Sequence, residues 1–238
     1  MSHSLLTFLR VVNEARQGPV PLPGMFRVTD PSSPIGFGGM VSRTALATEE
    51  LGSSAQRERR ERILDATIAL ASHGGFDAVQ MRSVADGADV ALGTLYRYFP
   101  SKIHLLVTAL AREFERTEAA LSTRAIEGGT PAERVITVLR TTTRTLQGDP
   151  HLTEALTRAF MFADKSVAQE IRTVGKLLIR MLTRAMHPET DEVTAEDIVI
   201  ARVVGDVWLA SVVGCVTGRS TAAETSAHIE HAVRLIVR

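Results

Sequence analysis

From residue 53 onward the hydrophobic residues recur at helical spacing. Positions three and four apart are apolar in run after run, as in Val135, Val138 and Leu139, and no strand-like alternation persists. Such spacing gives each helix one apolar face. Helix-start sequences precede several runs, and Thr130-Pro131-Ala132-Glu133 combines a cap, an early proline and a glutamate that reaches back. The pattern predicts an all-α chain of about nine helices.

The first stretch of the chain differs in composition from the rest. Residues 1–55 contain 6 Gly and 5 Pro among the 17 Gly and 9 Pro of the whole chain. A segment of this kind does not easily build a periodic buried face. We therefore predict a disordered leader over 1–52, a first domain over 53–102 and a second over 103–238. Met40 is an alternative start, and the sequence leaves open whether residues 1–39 are translated or have a role.

The first domain has the pattern of three helices. The first covers about 54–72 and stops at Gly74-Gly75, the second covers 81–88 and the third about 92–99, with the turn Asp89-Val90-Ala91 between the last two. Two short helices joined by a three-residue turn and braced by a longer helix form a helix-turn-helix. Its second helix enters the DNA major groove and presents its N-terminal residues to base edges.

The residue types around the third helix suit contacts with DNA. Gly93 permits close approach of the backbone, and Thr94 offers a hydroxyl and a methyl group to bases. Leu95 and Phe99 are four apart and face the core, so the residues between them point outward. Tyrosine hydroxyls and lysine amines suit phosphate oxygens. The candidate DNA contacts are Arg57, Arg60, Arg82, Ala91, Leu92, Gly93, Thr94, Tyr96, Arg97, Tyr98 and Lys102.

Alternative roles remain open for some of these residues. The arginines of the first helix also fit ion pairs along that helix, such as Arg57 with Glu61. Tyr96 and Tyr98 also fit partial packing against the core. The choice between these roles requires the structure.

The stretch GTLYRYFPSK, with ILDAT, GGF, MRSVAD and ADVALG before it, resembles the tetracycline-repressor (TetR) family of transcriptional regulators. The family motif covers about 50 residues. The resemblance implies a helix-turn-helix domain followed by a helical ligand-binding and dimerisation domain. It also implies roles for single residues: base reading by Arg82 and Thr94, close backbone approach at Gly93, and phosphate contacts by Tyr96, Tyr98 and Lys102.

The chain departs from the family pattern at three positions. Gln80 and Ala91 stand where the family usually has a side chain that caps a helix, and Asp89 stands where it usually has a glycine in the turn. A lost cap weakens a helix start by about 1 kcal/mol. Aspartate tolerates a left-handed backbone, so the departures affect local geometry and not the motif.

Longer stretches, among them VQMRSVADGADVALGTLYRYFPSKIHLLVTALAREFER and ARVVGDVWLA, are similar to one branch of the family, the KstR-type repressors of sterol (cholesterol) catabolism in actinobacteria. This similarity implies a repressor of steroid-catabolism genes that a sterol-derived coenzyme A thioester releases from DNA. The alternative is a regulator of fatty-acid metabolism or drug efflux from the same family that answers another apolar ligand.

The second domain is larger than DNA binding alone requires, so we expect a ligand pocket there. A concave, mainly apolar pocket is predicted among the helices over 103–126, 131–147, 150–163, 166–186 and 194–216. Its candidate lining residues, each of which also fits plain core packing, are Phe114, Leu139, Leu146, Leu156, Phe160, Met161, Leu178, Met181, Val207 and Trp208. The phosphates of a thioester need a basic mouth, which could come from Arg112, Arg116, Arg140, Arg144, Arg158, Arg172, Arg180 or Arg184.

The last two predicted helices, over 194–216 and 221–237, are candidates for a homodimer interface. The stripe Ile229, Val233 and Ile236 ends the chain, and we expect it to be an exposed apolar patch unless a partner covers it in a four-helix bundle. In a dimer the two recognition helices must lie about 34–36 Å apart to reach successive major grooves. The expected target is therefore palindromic double-stranded operator DNA.

Composition and charge exclude several other classes of protein. The 27 Lys+Arg balance the 27 Asp+Glu, which argues against a histone-like DNA binder. The lone Cys215 excludes an internal disulfide framework and a cysteine zinc cluster. No apolar run approaches the roughly 18 charge-free residues of a membrane helix, and no nucleophile–base set or phosphate loop is evident. We expect a cytoplasmic protein without enzymatic activity, metal or cofactor.

Overall fold

The computed structural model describes the backbone of residues 43–190 and 192–238 and the side chains from Ser54 onward. These parts of the chain contain nine α-helices, one short 3-10 helix over Lys165–Val167, and no strand, which confirms the predicted all-α fold. The helices are α1 (Arg43–Ala78), α2 (Met81–Gly87), α3 (Leu92–Tyr98), α4 (Lys102–Ser122), α5 (Pro131–Gln147), α6 (Pro150–Met161), α7 (Ala168–Met186), α8 (Ala195–Val216) and α9 (Ala222–Ile236).

The helix α1 is longer than predicted but is interrupted where a stop was predicted. It begins at Arg43, before the expected domain start at residue 53. Its helical geometry fails at Gly74 and Gly75, and Gly75 has a φ of 69°. A Cβ at Gly75 would lie 2.8 Å from the Glu154 Oε2, so the backbone and the neighbouring carboxylate both require glycine. Of the predicted leader, residues 1–42 lie outside the described part of the chain.

Side-chain caps begin four of the five helices that follow α4, the exception being α7. At α5 the Thr130 hydroxyl accepts from the backbone N–H of Glu133, and the Glu133 carboxylate accepts from the N–H of Thr130, which is the predicted capping box. Thr194 and Asp197 form the same reciprocal bonds at α8. Asp149 caps α6. Each cap satisfies N–H groups that a helix start otherwise leaves without partners.

Helices α1–α3 form the head of the molecule, and α4–α9 form the body. The N-terminal half of α4 is buried from Leu105 to Ala111, so one continuous core joins head and body. The head also packs on α6 through α1, and α4 packs on α7. In the body, Arg134 of α5 donates to the carbonyls of Ala185 and Met186 and thereby closes the end of α7.

The helix α8 is long and apolar enough to cross a membrane by length and composition alone. Arg202 and Asp206 interrupt it in the middle. Its inward face, which includes Trp208, packs against α7 and α9, whereas Val199 and Val203 on the opposite face are 58% and 43% exposed. The inward face is therefore part of the protein core, and the outward apolar strip is a candidate for contact with another subunit.

Candidate DNA-binding surface and effector site

The helix-turn-helix is built by α2, α3 and the turn between them. The turn residue Asp89 has a φ of 51°, the left-handed conformation that aspartate tolerates. The N–H of Val90 donates to the carbonyl of Ala85 and closes the turn. Neither Gln80 nor Ala91 caps its helix with a side chain, as their departure from the family pattern implied. The motif forms despite two weak helix starts.

Two core residues orient the recognition helix α3. The side chains of Leu95 and Phe99 are at most 1% exposed, which confirms their predicted inward direction. Opposite them, Tyr96 is 47% exposed, and no atom lies within 4 Å of the position where Gly93 would carry a Cβ. Thr94 is half-buried at the first turn. The exposed face of α3 and its N-terminal end consists of Ala91, Leu92, Gly93, Tyr96 and Arg97.

The predicted DNA contacts outside this face include three exposed arginines and the half-buried Tyr98. Arg57, Arg60 and Arg82 are exposed on the head, and the Arg60 guanidinium lies 5.9 Å from the centroid of the Phe99 ring. Tyr98 is half-buried, with its ring 6.4 Å from that of Phe99, so the alternative of partial core packing applies to Tyr98 more than to Tyr96.

Lys102 has a different environment from the rest of the predicted set. Its Nζ lies 3.9 Å from the centroid of the Phe76 ring, at the boundary between head and body. Burial lowers the pKa of this ammonium, because desolvation penalises the charged form, and the carboxylate of Asp77 partly offsets the effect. The structure therefore shows a cation–π contact for Lys102 and does not group it with the exposed face of α3.

The boundary between head and body contains a buried cation that sequence reasoning did not single out. Arg112 of α4 is only 6% exposed, and its Nη1 lies 2.8 Å from the Asp65 Oδ1 and 3.0 Å from the Glu61 Oε2, both on α1. Arg112 was considered only as one of eight candidates for ligand phosphates. The carboxylates are 51 and 47 residues away in the chain, so local spacing gave no signal of these ion pairs.

A second polar contact joins α6 to the end of α1. The Glu154 carboxylate accepts from the backbone N–H of Phe76 at 2.8 Å. Arg158 lies 4.4 Å from the centroid of the Phe76 ring and 3.3 Å from the Asp77 Oδ2. The head is thus attached to the body at two separate points, through α4 and through α6.

A third connection leads from the recognition helix to α7. The His104 ring centroid lies 5.9 Å from that of Phe99, directly after α3, and the His104 Nε2 lies 3.4 Å from the Glu170 Oε1. The Nδ1 of His104 and the Oε2 of Glu170 are buried without a hydrogen-bond partner in the protein. Unsatisfied buried polar atoms make such an arrangement sensitive to small displacements.

Eight of the ten residues predicted to line a ligand pocket belong to the hydrophobic core or pack against it, and Met161 and Val207 do not. Phe114 and Trp208 meet edge to face with centroids 6.2 Å apart, and the Trp208 Nε1 donates to the Thr143 Oγ1 at 2.9 Å. The Cδ2 of Leu178 lies 3.0 Å from where Gly205 would carry a Cβ, so α7 and α8 approach closely. The buried members are Phe114, Leu139, Leu156, Met181 and Trp208; the partly buried ones are Leu146, Phe160, Met161, Leu178 and Val207.

An open cleft lies between α5, which belongs to the predicted pocket helices, and α9, which does not. Its volume is about 120 Å³, and Leu139 is the predicted pocket residue that lines it. Ile136 and Ile229 complete an apolar floor, and Arg140 and Arg144 lie at the rim. The cleft could not be predicted from the sequence, where the apolar stripe of α9 indicates a subunit interface.

The predicted interface stripe on α9 is wrong in its details. Ile229 and Val233 are 6% and 1% exposed, and Ile236 is partly buried, because this face packs α9 onto α5 and α8 within one subunit. The opposite side of α9 is exposed instead, and Leu235 on that side is 78% exposed. Val199 and Val203 of α8 are exposed as well, so the exposed apolar side chains of α8 and α9 differ from the predicted stripe. His228 and His231 are exposed on α9, and the described residues contain no group of three or more potential metal ligands.

Family models match both halves of the chain. The model of bacterial regulatory proteins of the tetR family matches residues 63–109, and the model of tetracyclin repressor-like C-terminal domains matches residues 128–236. The first range contains α2, α3 and the start of α4, and the second contains α5 to α9. The two matches therefore coincide with the head and the body.

Individual proteins are similar over most of the chain. The HTH-type transcriptional repressor KstR of Mycolicibacterium smegmatis is 53% identical over 198 residues, which are 83% of this chain and 96% of that protein. The structure of a TetR transcriptional regulator from Rhodococcus sp. RHA1 is 31% identical with a TM-score of 0.70 over 76% of this chain and 97% of that one. FadR of Thermus thermophilus, in complex with lauroyl-CoA, has a TM-score of 0.59 at 18% identity over 74% and 92% of the two chains, a likeness of fold alone.

Proposed function

Because the chain belongs to the tetR family of bacterial regulatory proteins, we propose that it represses genes of sterol catabolism and that a sterol-derived coenzyme A thioester releases it from its operator. The protein is a TetR-family transcriptional repressor and not an enzyme. The 53% identity to KstR across head and body carries the proposal. The effector and the site residues are our inference, as is action in the cytoplasm, where the DNA is.

The exposed face of α3, together with Arg82 of α2 and the half-buried Thr94 and Tyr98, supplies the proposed contact with operator DNA. Arg82 and Thr94 read base edges in the major groove, and Tyr96 and Tyr98 donate to phosphate oxygens. Gly93 lets the backbone approach, since the space around it is open. The whole chain has a formal net charge of zero, so affinity depends on these placed contacts more than on bulk attraction. Lys102 joins them only if it leaves the Phe76 ring.

A homodimer accounts for the exposed apolar strip and for a palindromic operator. Val199, Val203 and Leu235 are exposed apolar side chains on α8 and α9, the two helices proposed to form the interface. A second copy of α8 and α9 would cover them in a four-helix bundle. The symmetry of the dimer then fixes the spacing of the two α3 helices, which must reach successive major grooves about 34–36 Å apart.

The effector acts by binding an arrangement of the dimer in which the two α3 helices are not spaced to reach successive major grooves. The apolar core around Phe114 and Trp208 takes the sterol part, and the filled core must open to admit it. The ion pairs of Arg112 and the contacts of Phe76 transmit a shift of α4 or α6 to the head. A ligand that binds the opened arrangement more tightly moves the population away from the DNA-binding one.

A fatty-acyl thioester is the second candidate effector. One observation favours it: a protein of the same fold, FadR of Thermus thermophilus, holds lauroyl-CoA. The sequence identity to that protein is 18%, against 53% to KstR, so we rank the sterol thioester first.

A release titration tests the proposal. Operator duplexes are selected from a random pool with the full chain, and fluorescence anisotropy then follows their release by a sterol side-chain coenzyme A thioester, its free acid or lauroyl-CoA. We expect release by the sterol thioester at a concentration at least about tenfold below that of the other two, a difference of about 1.4 kcal/mol. Release at the lowest concentration by lauroyl-CoA would replace the effector. A lack of response to every steroid would remove the sterol assignment and leave the DNA-binding role intact.

A further inference from the structure

Six of the eight arginines that could hold the phosphates of a thioester already have partners. Arg112, Arg116, Arg158 and Arg180 pair with carboxylates, Arg172 donates to Gln169, and Arg184 donates to the Ser122 carbonyl. Arg140 and Arg144 are exposed and form no ion pair within the described part of the chain. Two cations without a carboxylate partner are free to bind an anion.

The two arginines face the same cleft. They are four residues apart on α5, which places them on one side of the helix, and both line the space between α5 and α9. Ile136, Leu139 and Ile229 form the apolar floor beneath them. The cleft thus combines a cationic rim with an apolar base, which suits an amphipathic anion.

The cleft adjoins the predicted sterol site and shares a residue with it. Thr143 lines the cleft, and its hydroxyl accepts from the indole N–H of Trp208, which meets Phe114 in the core. Leu139 belongs to the cleft floor and to the predicted pocket. The hydrogen bond between Thr143 and Trp208 therefore connects the cleft to the core that the sterol part would enter.

The carboxylate of Glu230, also at the rim, does not neutralise the two arginines. Its Oε1 accepts from the Arg234 Nη2 at 2.9 Å. That hydrogen bond, together with weaker charge attraction from Arg234 and Arg140, holds the pKa of Glu230 below its ordinary value. Glu230 is therefore ionised and hydrogen-bonded to Arg234, so its attraction for Arg140 is the weaker contact and neither Arg140 nor Arg144 forms an ion pair within the described residues.

We propose that Arg140 and Arg144 bind phosphate groups of the coenzyme A portion of the effector in the cleft between α5 and α9. The inference rests on the proposed function for the identity of the effector. A cleft of about 120 Å³ accommodates a phosphate group with a few neighbouring atoms but not a sterol ring system, so it fixes the polar end of the ligand. Two neighbouring guanidinium groups bind phosphate oxygens through charge-assisted hydrogen bonds.

Calorimetry with coenzyme A alone as the probe tests this assignment without a sterol. Wild type is compared with Arg140→Gln, Arg144→Gln and the double variant, and Arg172→Gln is the matched control, since it removes one exposed arginine charge from α7. Each single change should weaken coenzyme A binding at least about tenfold, as expected for the loss of a charged hydrogen bond. The control should bind as wild type does. Glu230→Gln should bind slightly more tightly, because it removes a negative charge from the rim.

Three results would overturn the cleft assignment: no binding of coenzyme A to wild type, equal binding to wild type and the double variant, or binding of inorganic phosphate as tight as that of coenzyme A. Release of DNA separates this inference from the proposed function. If the sterol thioester releases wild type and the double variant at equal concentration, the cleft is wrong and the effector stands. If coenzyme A needs both arginines but no sterol thioester releases wild type, the cleft stands and the effector is wrong.

Discussion

The guanidinium of Arg112 on α4 lies 2.8 Å from the carboxylate of Asp65 on α1. This contact joins the body to the head, and the same nitrogen also reaches Glu61. The Nε and Nη2 of Arg112 are buried without a hydrogen-bond partner. Because the contacts of this buried cation with α1 all go through Nη1, a small rotation of α1 against α4 changes its energy strongly. Arg112 is therefore well placed to couple the two parts of the molecule.

Loss of this ion pair should destabilise the protein and weaken communication between its parts. We expect Arg112→Met to reduce the free energy of unfolding by about 1–3 kcal/mol, a value kept moderate because Asp65 is exposed. Urea denaturation measures the change. A double-mutant cycle with Asp65→Asn should give a coupling energy above about 0.5 kcal/mol. Arg116→Gln is the control, since exposed Arg116 lies farther from Asp65 at 3.6 Å. Additive effects of the Arg112 and Asp65 changes would refute the coupling.

Base reading and phosphate contact on α3 should respond differently to substitution. Thr94→Ala should change the preferred duplex sequence, because we propose that Thr94 reads base edges. Tyr96→Phe should weaken binding to all duplexes nearly equally, since phosphate contacts position the protein without reading sequence. Site selection from a random pool distinguishes the two effects. An unchanged motif with Thr94→Ala would remove the base-reading role of that residue.

The exposed strip on α8 and α9 should be the subunit interface. Val199→Glu combined with Val203→Arg should give folded monomers that lose specific DNA binding, because both side chains lie on the surface of one subunit. Ile229→Arg should instead unfold the subunit, since Ile229 is buried in the core. Light scattering measures the mass and circular dichroism measures the helix content. A stable dimer of the Val199/Val203 double variant would place the interface elsewhere.

The cap at the start of α8 should give a pH-dependent stability. The hydrogen bond from the Thr194 side chain holds the pKa of Asp197 below its ordinary value of 3.8, and contacts with the Thr194 backbone and His187 act in the same direction. A depressed carboxyl pKa stabilises the fold above the ordinary pKa, and this stabilisation disappears as the pH falls through the folded pKa.

Asp197→Asn should therefore lower the stability by about 1 kcal/mol at neutral pH and by less at an acidic pH below the lowered pKa of the folded-state carboxyl, where the wild-type group is protonated as well. Thermal unfolding at both pH values measures the difference. Glu196→Gln removes the same charge from the same helix turn without removing the capping box, and it should have a smaller effect. An equal loss with Asp197→Asn at the two pH values would contradict this explanation.

The local features of the fold could be predicted from the sequence because their causes are local. Asp89 in a left-handed turn, the break at Gly74-Gly75 and the capping box at Thr130 all depend on residues within a few positions of each other. The inward direction of Leu95 and Phe99 follows from the helical period. The identity of the motif then followed from the residues of α3.

Features that depend on distant contacts could not be predicted. The apolar stripe of α9 predicts a buried face, but only the position of α5 shows that the cover comes from the same subunit. The residues next to Lys102 in the sequence do not indicate that its ammonium lies over the Phe76 ring. Eight arginines are equivalent in the sequence, and only their partners in the fold separate Arg140 and Arg144 from the rest.

Reciprocity between effector and operator tests the central claim most directly. The dissociation constant of the sterol thioester is measured for the free protein and for the protein saturated with operator duplex, and the operator constant is measured with and without thioester. A single equilibrium between DNA-binding and ligand-binding arrangements requires both ratios to be equal. We predict that each ligand weakens the other by the same factor of at least about tenfold. Equal affinity of the thioester for free and operator-bound protein would contradict the account.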